Sequence, residues 1–147
     1  MRLSNIRKFD YYGAMNAWEL LFELMLAERA RMPTIAAELE LSPMQVQLLR
    51  LIEPGTPVPM GKAACGLGCD ASNITGIVDR LEARGLIERR PGADRRVKVL
   101  VVTSDGARVR QVIMARLAEP PEAIARLSPE DQRLLAEILG RALTQSP

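Results

Sequence analysis

The stretch from Ser72 to Arg80 carries small and polar residues on one side of a helical pattern. Asparagine and arginine can each form two hydrogen bonds with the major-groove edge of adenine or guanine. Gly76 costs a helix about 1 kcal/mol relative to alanine, and close approach to a DNA groove would offset that cost. These residue types predict base contacts, although an ordinary solvent-exposed face with a tolerated glycine is the alternative. The positions on this face are Ser72, Asn73, Thr75, Gly76, Asp79 and Arg80, and we expect all except Asp79 to contact DNA.

Basic residues crowd the segment 89–98, where Asp94 is the only acid. A narrow minor groove attracts arginine through its negative potential. We therefore expect Arg95 and Arg96 to contact DNA, and Asp94 to hold the Arg96 guanidinium in a fixed direction. Lys62, earlier in the chain, is a candidate for contact with a phosphate. The basic residues of the segment are Arg89, Arg90, Arg95, Arg96 and Lys98.

A capped helix and a hairpin must position these residues. Asp70 is a suitable N-cap, and apolar residues follow it at helical spacing until Gly85, which can end a helix in the left-handed conformation. Two β-prone runs, Leu86–Arg90 and Val97–Thr103, flank a turn segment. With a preceding helix over Met60–Leu67, the pattern predicts a winged helix-turn-helix in a mainly α protein with a small β wing (α+β).

The segments DRLEARGLIER and DRRVKVLVVT resemble the MarR family of bacterial winged-helix regulators. The family's wing pattern is Asp, any residue and Arg, followed by Leu-Thr, with the threonine nine positions after the aspartate. Asp94, Arg96 and Thr103 keep that spacing, whereas Val102 stands in place of the leucine. The resemblance covers roughly residues 42–110. It implies a homodimeric transcriptional regulator, usually a repressor, that binds a palindromic operator in double-stranded DNA.

The resemblance also implies a small-molecule effector, often an aromatic acid, in a cleft between the dimerisation helices and the DNA-binding lobe. Tyr12, Trp18 and Arg50 lie near the expected cleft, as do Arg29 and Arg31. A ligand that binds one state better than the other would change the spacing of the two lobes and release the operator.

Apolar patterns at both ends of the chain predict dimerisation helices. Asp10–Glu28 has an apolar face wider than one partner helix would cover, and Leu134–Leu143 forms a strong helical stripe. A buried helix in a monomer is the alternative for the first pattern. We expect dimerisation helices in residues 1–41 and 104–147, on either side of a winged helix-turn-helix lobe in residues 42–103, all in one structural domain.

Proline and capping residues mark the boundaries between these parts. We expect Pro33 to break or kink the first helix, with a short second piece over Thr34–Glu40. Ser42 is followed by proline at the first helical position and by glutamine at the third, which is typical of a capped helix start. Val58 and Pro59 are expected to add a short third strand to the wing.

The composition argues against an enzyme and against a membrane protein. No apolar run approaches ~18 residues, so we expect no transmembrane helix. The first residues lack the apolar segment of a signal peptide, so we expect a cytoplasmic location. The net charge is only +2, which suits a specific binder whose basic residues concentrate in the wing. The chain has no histidine and no convergent carboxylate pair, so we expect no catalytic residues, no metal and no cofactor.

Cys65 and Cys69 are the only cysteines. Two thiolates without histidine fall short of a closed zinc site, and cysteine is commonly a small buried hydrophobe. We expect that structural role, with a thiol-based redox-sensing regulator as the alternative. A winged-helix module that binds protein is a further alternative, against which the arginine-rich wing argues.

Overall fold

The computed structural model describes residues 15–144 of the chain. Most of these residues are helical, and short strands form one antiparallel sheet, which confirms the predicted mainly α fold with a small β wing. The elements in chain order are α1 (Ala17–Ala27), α2 (Arg31–Glu38), α3 (Pro43–Leu51), β1 (Val58–Pro59), α4 (Met60–Leu67), α5 (Ala71–Ala83), β2 (Ile87–Pro91), β3 (Lys98–Val102), α6 (Ser104–Ala118), α7 (Glu122–Ala125) and α8 (Pro129–Thr144).

The winged lobe, residues 42–103, begins with the capped helix start that the sequence predicts. The Ser42 hydroxyl accepts a hydrogen bond from the backbone amide of Gln45 at 3.2 Å. The Gln45 side chain accepts in return from the Ser42 amide at 2.7 Å. This capping box provides partners for two amides that the first helical turn leaves without one.

Two glycines shape the helix-turn-helix formed by α4 and α5. Gly66 faces α3, where a Cβ would lie 2.8 Å from a methyl carbon of Leu51, so its lack of a side chain allows α4 to pack closely there. Gly68 ends α4 with a φ of 61°, a left-handed conformation that costs glycine little. The chain then enters α5, the predicted recognition helix, through its N-cap Asp70.

The sheet has the strand order β1-β3-β2, and both pairs are antiparallel. Val58 pairs with Leu100, which confirms the predicted third strand. Pro91 pairs with Lys98, so the hairpin loop covers residues 92–97 and Pro91 lies in the strand, not in the predicted turn. We call residues 92–97 the wing tip.

The core is centred on the winged lobe, between its helices and one face of the sheet, and α2 and α6 add buried residues to it. Each of α3, α5 and β3 contributes aliphatic side chains to it, and the residues alternate with exposed ones at helical or strand spacing. The largest fully buried residues are Leu48, Leu49, Ile52, Ile74, Leu81, Ile87, Leu100, Ile113, Val46 and Val78. The predicted stripes of α3 and α5 are therefore the core-facing sides of those helices.

Thr103 joins the end of the recognition helix to the start of α6. Its hydroxyl donates to the Gly85 carbonyl at 2.7 Å and accepts from the Gly106 amide at 3.0 Å. Its own amide donates to the Leu86 carbonyl at 3.2 Å. A Cβ on Gly106 would overlap that same carbonyl oxygen, so only glycine fits at this junction.

The first described helix is shorter than the predicted Asp10–Glu28, of which residues 10–14 lie outside the described part. The Asn16 side chain accepts from the Glu19 amide at 3.0 Å, and the Glu19 carboxylate accepts from the Asn16 amide at 2.7 Å. This capping box starts α1 at Ala17. The prediction ran the helix through Asn16 because it followed the apolar stripe and missed the cap.

The predicted break at Pro33 is also wrong. α2 begins at Arg31 and includes Pro33 in its first turn. Proline is tolerated there because the first amides of a helix have no intrahelical acceptor. The interruption between the two helices comes earlier, at residues 28–30.

The chain divides into two compact units, Met1–Ile113 and Met114–Pro147, with the boundary inside α6. In the second unit, α7 is a short helix that the sequence analysis did not predict. α8 starts after Ser128, whose hydroxyl accepts from the Asp131 backbone amide at 3.1 Å. Neither α1 nor α8 contains a buried residue in the single chain. None of the described helices is long and apolar enough to cross a membrane.

Candidate nucleic-acid interface

The outer face of α5 carries the residues that the sequence predicts to contact DNA. Ile74, Val78 and Leu81 point into the core. The predicted contact residues lie on the exposed side of the same helix: Ser72, Asn73, Thr75, Gly76 and Arg80. The structure thus brings these five positions together on one accessible surface.

Two hydroxyl groups on this face already donate within the helix. The Ser72 hydroxyl donates to the Asp70 carboxylate at 2.7 Å, and the Thr75 hydroxyl donates to the Ala71 carbonyl at 2.9 Å. The Asn73 amide donates to the same Asp70 carboxylate at 2.8 Å. The two hydrogen bonds to the Asp70 carboxylate lower its pKa, and the bond from the Asn73 backbone amide contributes most. The two hydroxyls therefore retain acceptor capacity only, plus the methyl group of Thr75.

Asn73 and Arg80 keep their side-chain donors available. Neither side chain has a hydrogen bond or an ion pair with any residue in the described part of the chain. Both are exposed. They are therefore the two groups on α5 that can form paired hydrogen bonds with a base edge.

Gly76 has no neighbour that requires a glycine. A Cβ built on it meets no atom within 4 Å, so internal packing does not explain a residue that weakens the helix. The open space in front of Gly76 lies on the same exposed side as Asn73 and Arg80. A surface that approaches α5 closely would find no obstacle at this position.

The wing tip is a tight turn that places two arginines at its apex. The Gly92 amide donates to the Val97 carbonyl at 2.8 Å, and the Val97 amide donates to the Asp94 carbonyl at 2.9 Å. This second bond closes a β-turn with aspartate at its first position, a common arrangement. Arg95 and Arg96 are the two central residues of the turn, and both are exposed.

Asp94 acts on the backbone of the tip and not on the guanidinium of Arg96. Its carboxylate accepts from the Arg96 backbone amide at 2.9 Å. Within residues 15–144 the two side chains form no ion pair, contrary to the expected contact. The prediction identified the right acid but the wrong donor. Sequence spacing cannot tell whether Asp94 bonds to the backbone amide of Arg96 or to its guanidinium.

The base of the hairpin differs from its tip, although the sequence groups the basic residues of both. The Arg89 guanidinium forms ion pairs with Asp79 and Glu82 on α5, and Arg90 pairs with Glu88 at 2.8 Å. Arg84, at the end of α5, donates to the Leu39 carbonyl at 3.2 Å. Among the described cations of the winged lobe, those whose side chains have no partner are Arg50 at the end of α3, Lys62 on α4, Arg80 on α5, Arg95 and Arg96 at the tip, and Lys98 at the start of β3.

A groove of about 350 Å³ runs beside the recognition helix. It is bounded on one side by the start of α3 and on the other by the outer face of α5, and its lining residues are Ser42, Met44, Cys69, Ser72, Asn73, Gly76, Ile77 and Arg80. Cys69 is half-buried there, whereas Cys65 is exposed, so the expectation of a buried structural thiol is wrong for Cys65. Both are free thiols.

The predicted effector residues are not gathered into a site by the described part of the chain. Tyr12 lies outside the described residues. Trp18 is 65% exposed on α1, with its ring centroid 6.3 Å from that of Phe22. Arg50 is exposed in the last turn of α3, and its carbonyl accepts from the Arg110 side chain at 3.4 Å. The described residues also contain no cluster of three or more potential metal ligands.

A helix-turn-helix whose second helix exposes unpaired groups able to bond to base edges, followed by a hairpin with a cationic apex, is the architecture of winged-helix DNA-binding proteins. Residues 41–98 match the model of the MarR family. This part of the chain is therefore similar to the DNA-binding lobe of the MarR family, as the resemblance implied.

Several known proteins are similar to this chain. The uncharacterized HTH-type transcriptional regulator YfiV of Bacillus subtilis is 29% identical over 111 residues, which cover 72% of this chain and 69% of that protein. The crystal structure of wild-type MarR from E. coli, in its apo form, superposes with a TM-score of 0.76 at 19% identity, covering 88% of this chain and 97% of that one. A mutant of S. aureus MepR, bound to an oligodeoxyribonucleotide, gives a TM-score of 0.63 at 18% identity, covering 88% of this chain and 98% of that one.

Proposed function

We propose that the protein is a homodimeric repressor that binds a palindromic operator and is released from it by a small molecule. Asn73 and Arg80 read base edges in the major groove, Ser72, Thr75 and Gly76 line the contact, and Arg95 and Arg96 enter the flanking minor groove. Lys62 contacts a phosphate. Two copies related by two-fold symmetry place their recognition helices in successive major grooves, about 10 bp apart.

The observation that carries the proposal is the division among the cations of the winged lobe. Arg84, Arg89 and Arg90 are engaged with other groups of the chain. Arg96 and Arg80 are exposed and, within the described residues, have no such partner. A protein surface that leaves its arginines unpaired at a hairpin apex and along one helix face is matched to an external anion, and the phosphates of DNA supply it.

The terminal helices support the homodimer. Trp18 and Met25 on α1 are 65% and 57% exposed, and Leu134 and Leu143 on α8 are 53% and 78% exposed. Apolar side chains this large and this numerous are seldom left in water. A second copy of the chain is the partner that buries them, and the DNA-bound MepR structure, a protein of the same fold, supports binding to DNA in this shape.

An effector acts in this scheme by favouring one spacing of the two lobes. An aromatic acid would need an apolar surface with a cation, and Trp18 and Arg50 provide one of each in the described chain. The ligand shifts the equilibrium only as far as its affinities for the two states differ.

The exposure of Cys65 and the position of Cys69 in the groove beside α5 favour a second candidate, a thiol-responsive regulator. Oxidation of a thiol next to the base-reading face would obstruct it. Loss of peroxide sensitivity in Cys65→Ser and Cys69→Ser variants, with operator affinity unchanged under reducing conditions, would support this candidate over a small-molecule effector.

Selection from a random duplex library tests the main proposal. The unaltered protein is expected to enrich an imperfect palindrome with half-sites about 10 bp apart, and its affinity for that duplex should fall by about 10³ or more between 50 and 200 mM salt if ~6–10 phosphates are contacted. Sedimentation should show a dimer at micromolar concentration. Enrichment of no sequence, or a monomer that binds as tightly as a dimer, would contradict the proposal.

The Asp94→Ala variant tests the wing. Simple electrostatics predicts tighter DNA binding when an acid is lost, whereas loss of the Asp94 bond to the Arg96 amide loosens the turn and weakens binding. We expect weaker binding, in the same direction as Arg96→Ala but smaller. Tighter binding of the enriched duplex by Asp94→Ala would exclude this account of the tip.

A further inference from the structure

Arg89 connects the base of the wing to the middle of the recognition helix. Its guanidinium forms ion pairs with Asp79 and Glu82, and it also approaches the Thr75 carbonyl at 3.4 Å. Its backbone amide donates to the second oxygen of Glu82 at 3.0 Å. One arginine on β2 thereby contacts three residues of α5, from Thr75 near its start to Glu82 near its end.

The chemistry of the group suits this contact. A guanidinium is planar, and its donors can engage two carboxylates and a carbonyl at once, which the ammonium of lysine cannot do with the same geometry. Only 22% of the Arg89 side chain is exposed, whereas Asp79 and Glu82 are 59% and 40% exposed. Burial lowers the pKa of Arg89, but the two carboxylates outweigh it and raise that pKa above its ordinary value. The positive charge of Arg89 is therefore neutralised by carboxylates of the winged lobe itself.

The position of this contact matters because β2 and α5 are already joined once. At the end of α5 the Leu86 amide donates to the Leu81 carbonyl at 3.0 Å, and the Thr103 hydroxyl binds the Gly85 carbonyl. Those bonds and the buried side chain of Ile87 hold the start of β2 against the lobe. The Arg89 contact adds an attachment two residues further along the strand and nearer the middle of α5, and so restricts the angle between the outer part of the hairpin and the helix.

We propose that Arg89 is a positioning residue which sets the angle of the wing to the recognition helix, and so the spacing between the major-groove and minor-groove contacts. This inference rests on the proposed sequence-specific binding of DNA. Arg89 neutralises no phosphate in this role. It acts by positioning Arg95 and Arg96. The protein would then recognise the distance between the half-site core, which α5 contacts in the major groove, and the flank, which the wing tip contacts in the minor groove, as well as the bases themselves.

Salt dependence separates positioning from phosphate contact. Each neutralised phosphate contributes about 0.9 to the slope of log affinity against log salt. We expect Arg89→Ala to weaken binding to the library-enriched duplex by about tenfold, the middle of the range for coupled contacts, with the slope unchanged. Arg96→Ala removes one cation from each half of the proposed dimer and should lower the slope by about 1.8. A drop of that size in Arg89→Ala would show that Arg89 binds phosphate, and the inference would be wrong.

Arg90→Ala is the matched control. It removes the same charge from the next residue, whose guanidinium pairs only with Glu88 in the described structure, so it should leave the preference for the enriched duplex over a scrambled duplex nearly intact. Arg89→Lys keeps the charge but loses the planar group, and we expect it to resemble Arg89→Ala. Full recovery by lysine would reduce the role of Arg89 to its charge and overturn the inference.

The distance reading supplies a test that general destabilisation cannot mimic. Duplexes with one base pair inserted between half-site core and flank should lose affinity for the unaltered protein and for Arg90→Ala, but much less for Arg89→Lys. Asp79→Asn, which changes only an exposed partner of the contact, should behave like Arg89→Lys even if Arg89→Ala folds poorly. Equal penalties for the insertion in all variants would refute the inference. Every comparison uses a duplex that the unaltered protein has already enriched, so a failure of the proposed function would appear earlier, as an absence of enrichment.

Discussion

The winged lobe and the terminal helices use apolar residues in opposite ways. In the lobe, Leu48, Ile52 and Leu100 are completely buried by other parts of the same chain. On α1 and α8 no residue is buried, and Leu143 remains 78% exposed. The lobe packs its core within one chain, whereas the apolar faces of the terminal helices remain exposed in it, and we propose that a second copy covers them. An apolar stripe in a sequence shows that a helix face is covered, but not by which molecule.

The largest expected effect comes from a charge on a terminal helix. Leu139→Asp places a carboxylate on the apolar stripe of α8, where burial of an unpaired charge in a dimer would be costly. Loss of the second binding lobe should lower operator affinity by about 10²-fold or more, with a shift from dimer to monomer in sedimentation. Thr144→Asp introduces the same charge at an exposed position on the opposite side of α8, and it should change neither property. A Leu139→Asp dimer with unaltered affinity would remove the distinction between the two regions.

A core truncation in the lobe should have the opposite signature. Leu48→Ala removes a completely buried side chain, and such changes cost about 2–5 kcal/mol of unfolding free energy. Denaturant unfolding should show this loss at every protein concentration, because the lobe supplies its own packing. Val97→Ala, at the exposed wing tip, should stay within about 0.5 kcal/mol. If raising the protein concentration restored Leu48→Ala, the lobe would not be self-sufficient.

Two glycines in open space sharpen the comparison further. Gly76 on α5 and Gly140 on α8 each have no atom within 4 Å of a built Cβ, so alanine at either position should stabilise its helix by about 1 kcal/mol. Only Gly76→Ala should also weaken DNA binding, because only α5 approaches the groove. Thermal unfolding and operator titration of both variants provide the measurement. Improved stability with unchanged DNA affinity in Gly76→Ala would leave the glycine without a role.

The smallest expected effect concerns the N-cap of α5. The Asn73 amide and then the Ser72 hydroxyl lower the pKa of Asp70 below its ordinary 3.8. Because the pKa of Asp70 is lower in the folded than in the unfolded protein, the ionised cap stabilises the lobe at pH values above the unfolded pKa. This contribution is lost as the pH falls below about 3.8 and through the folded pKa. Asp70→Asn keeps a capping oxygen without this titration. The difference in unfolding midpoint between the two proteins should therefore change between pH 5 and pH 3, and a constant difference would argue against the assigned hydrogen bonds.

Local patterns predicted the elements of the lobe well because local chemistry determines them. The Ser42 capping box and the Asp70 cap depend on residues close in sequence, and both are confirmed. The strand at Val58, which is confirmed by its pairing with Leu100, was expected from the family resemblance. The same local reasoning missed the Asn16 cap, although Asn-x-x-Glu is visible in the sequence, because the apolar stripe was given more weight. It also misplaced the interruption at Pro33, since a proline in the first helical turn looks the same in sequence as one that ends a helix.

The site was predictable as a surface but not as a set of pairings. Helical spacing places Asn73 and Arg80 on one face, and the structure has them there. It could not tell Arg89, which pairs with Asp79 and Glu82, from Arg96, which pairs with nothing in the described residues. That distinction depends on how β2 lies against α5, which is a tertiary property. The available signal was the spacing of Asp79 and Glu82 on α5, but no ion pair was predicted for either residue.

The junction at Thr103 has a mechanical consequence for any signal that reaches the lobe. The Thr103 hydroxyl bonds to both the Gly85 carbonyl and the Gly106 amide, and Gly106 has no space for a Cβ. The first turn of α6 and the end of α5 therefore move as one rigid unit. We expect a rotation of α6 to be transmitted in full to the recognition helix, because this junction cannot deform to absorb it. The flexible segment that a conformational switch requires must then lie elsewhere in the chain. Substitutions of Thr103 that weaken the junction should abolish the response to an effector while DNA binding is retained.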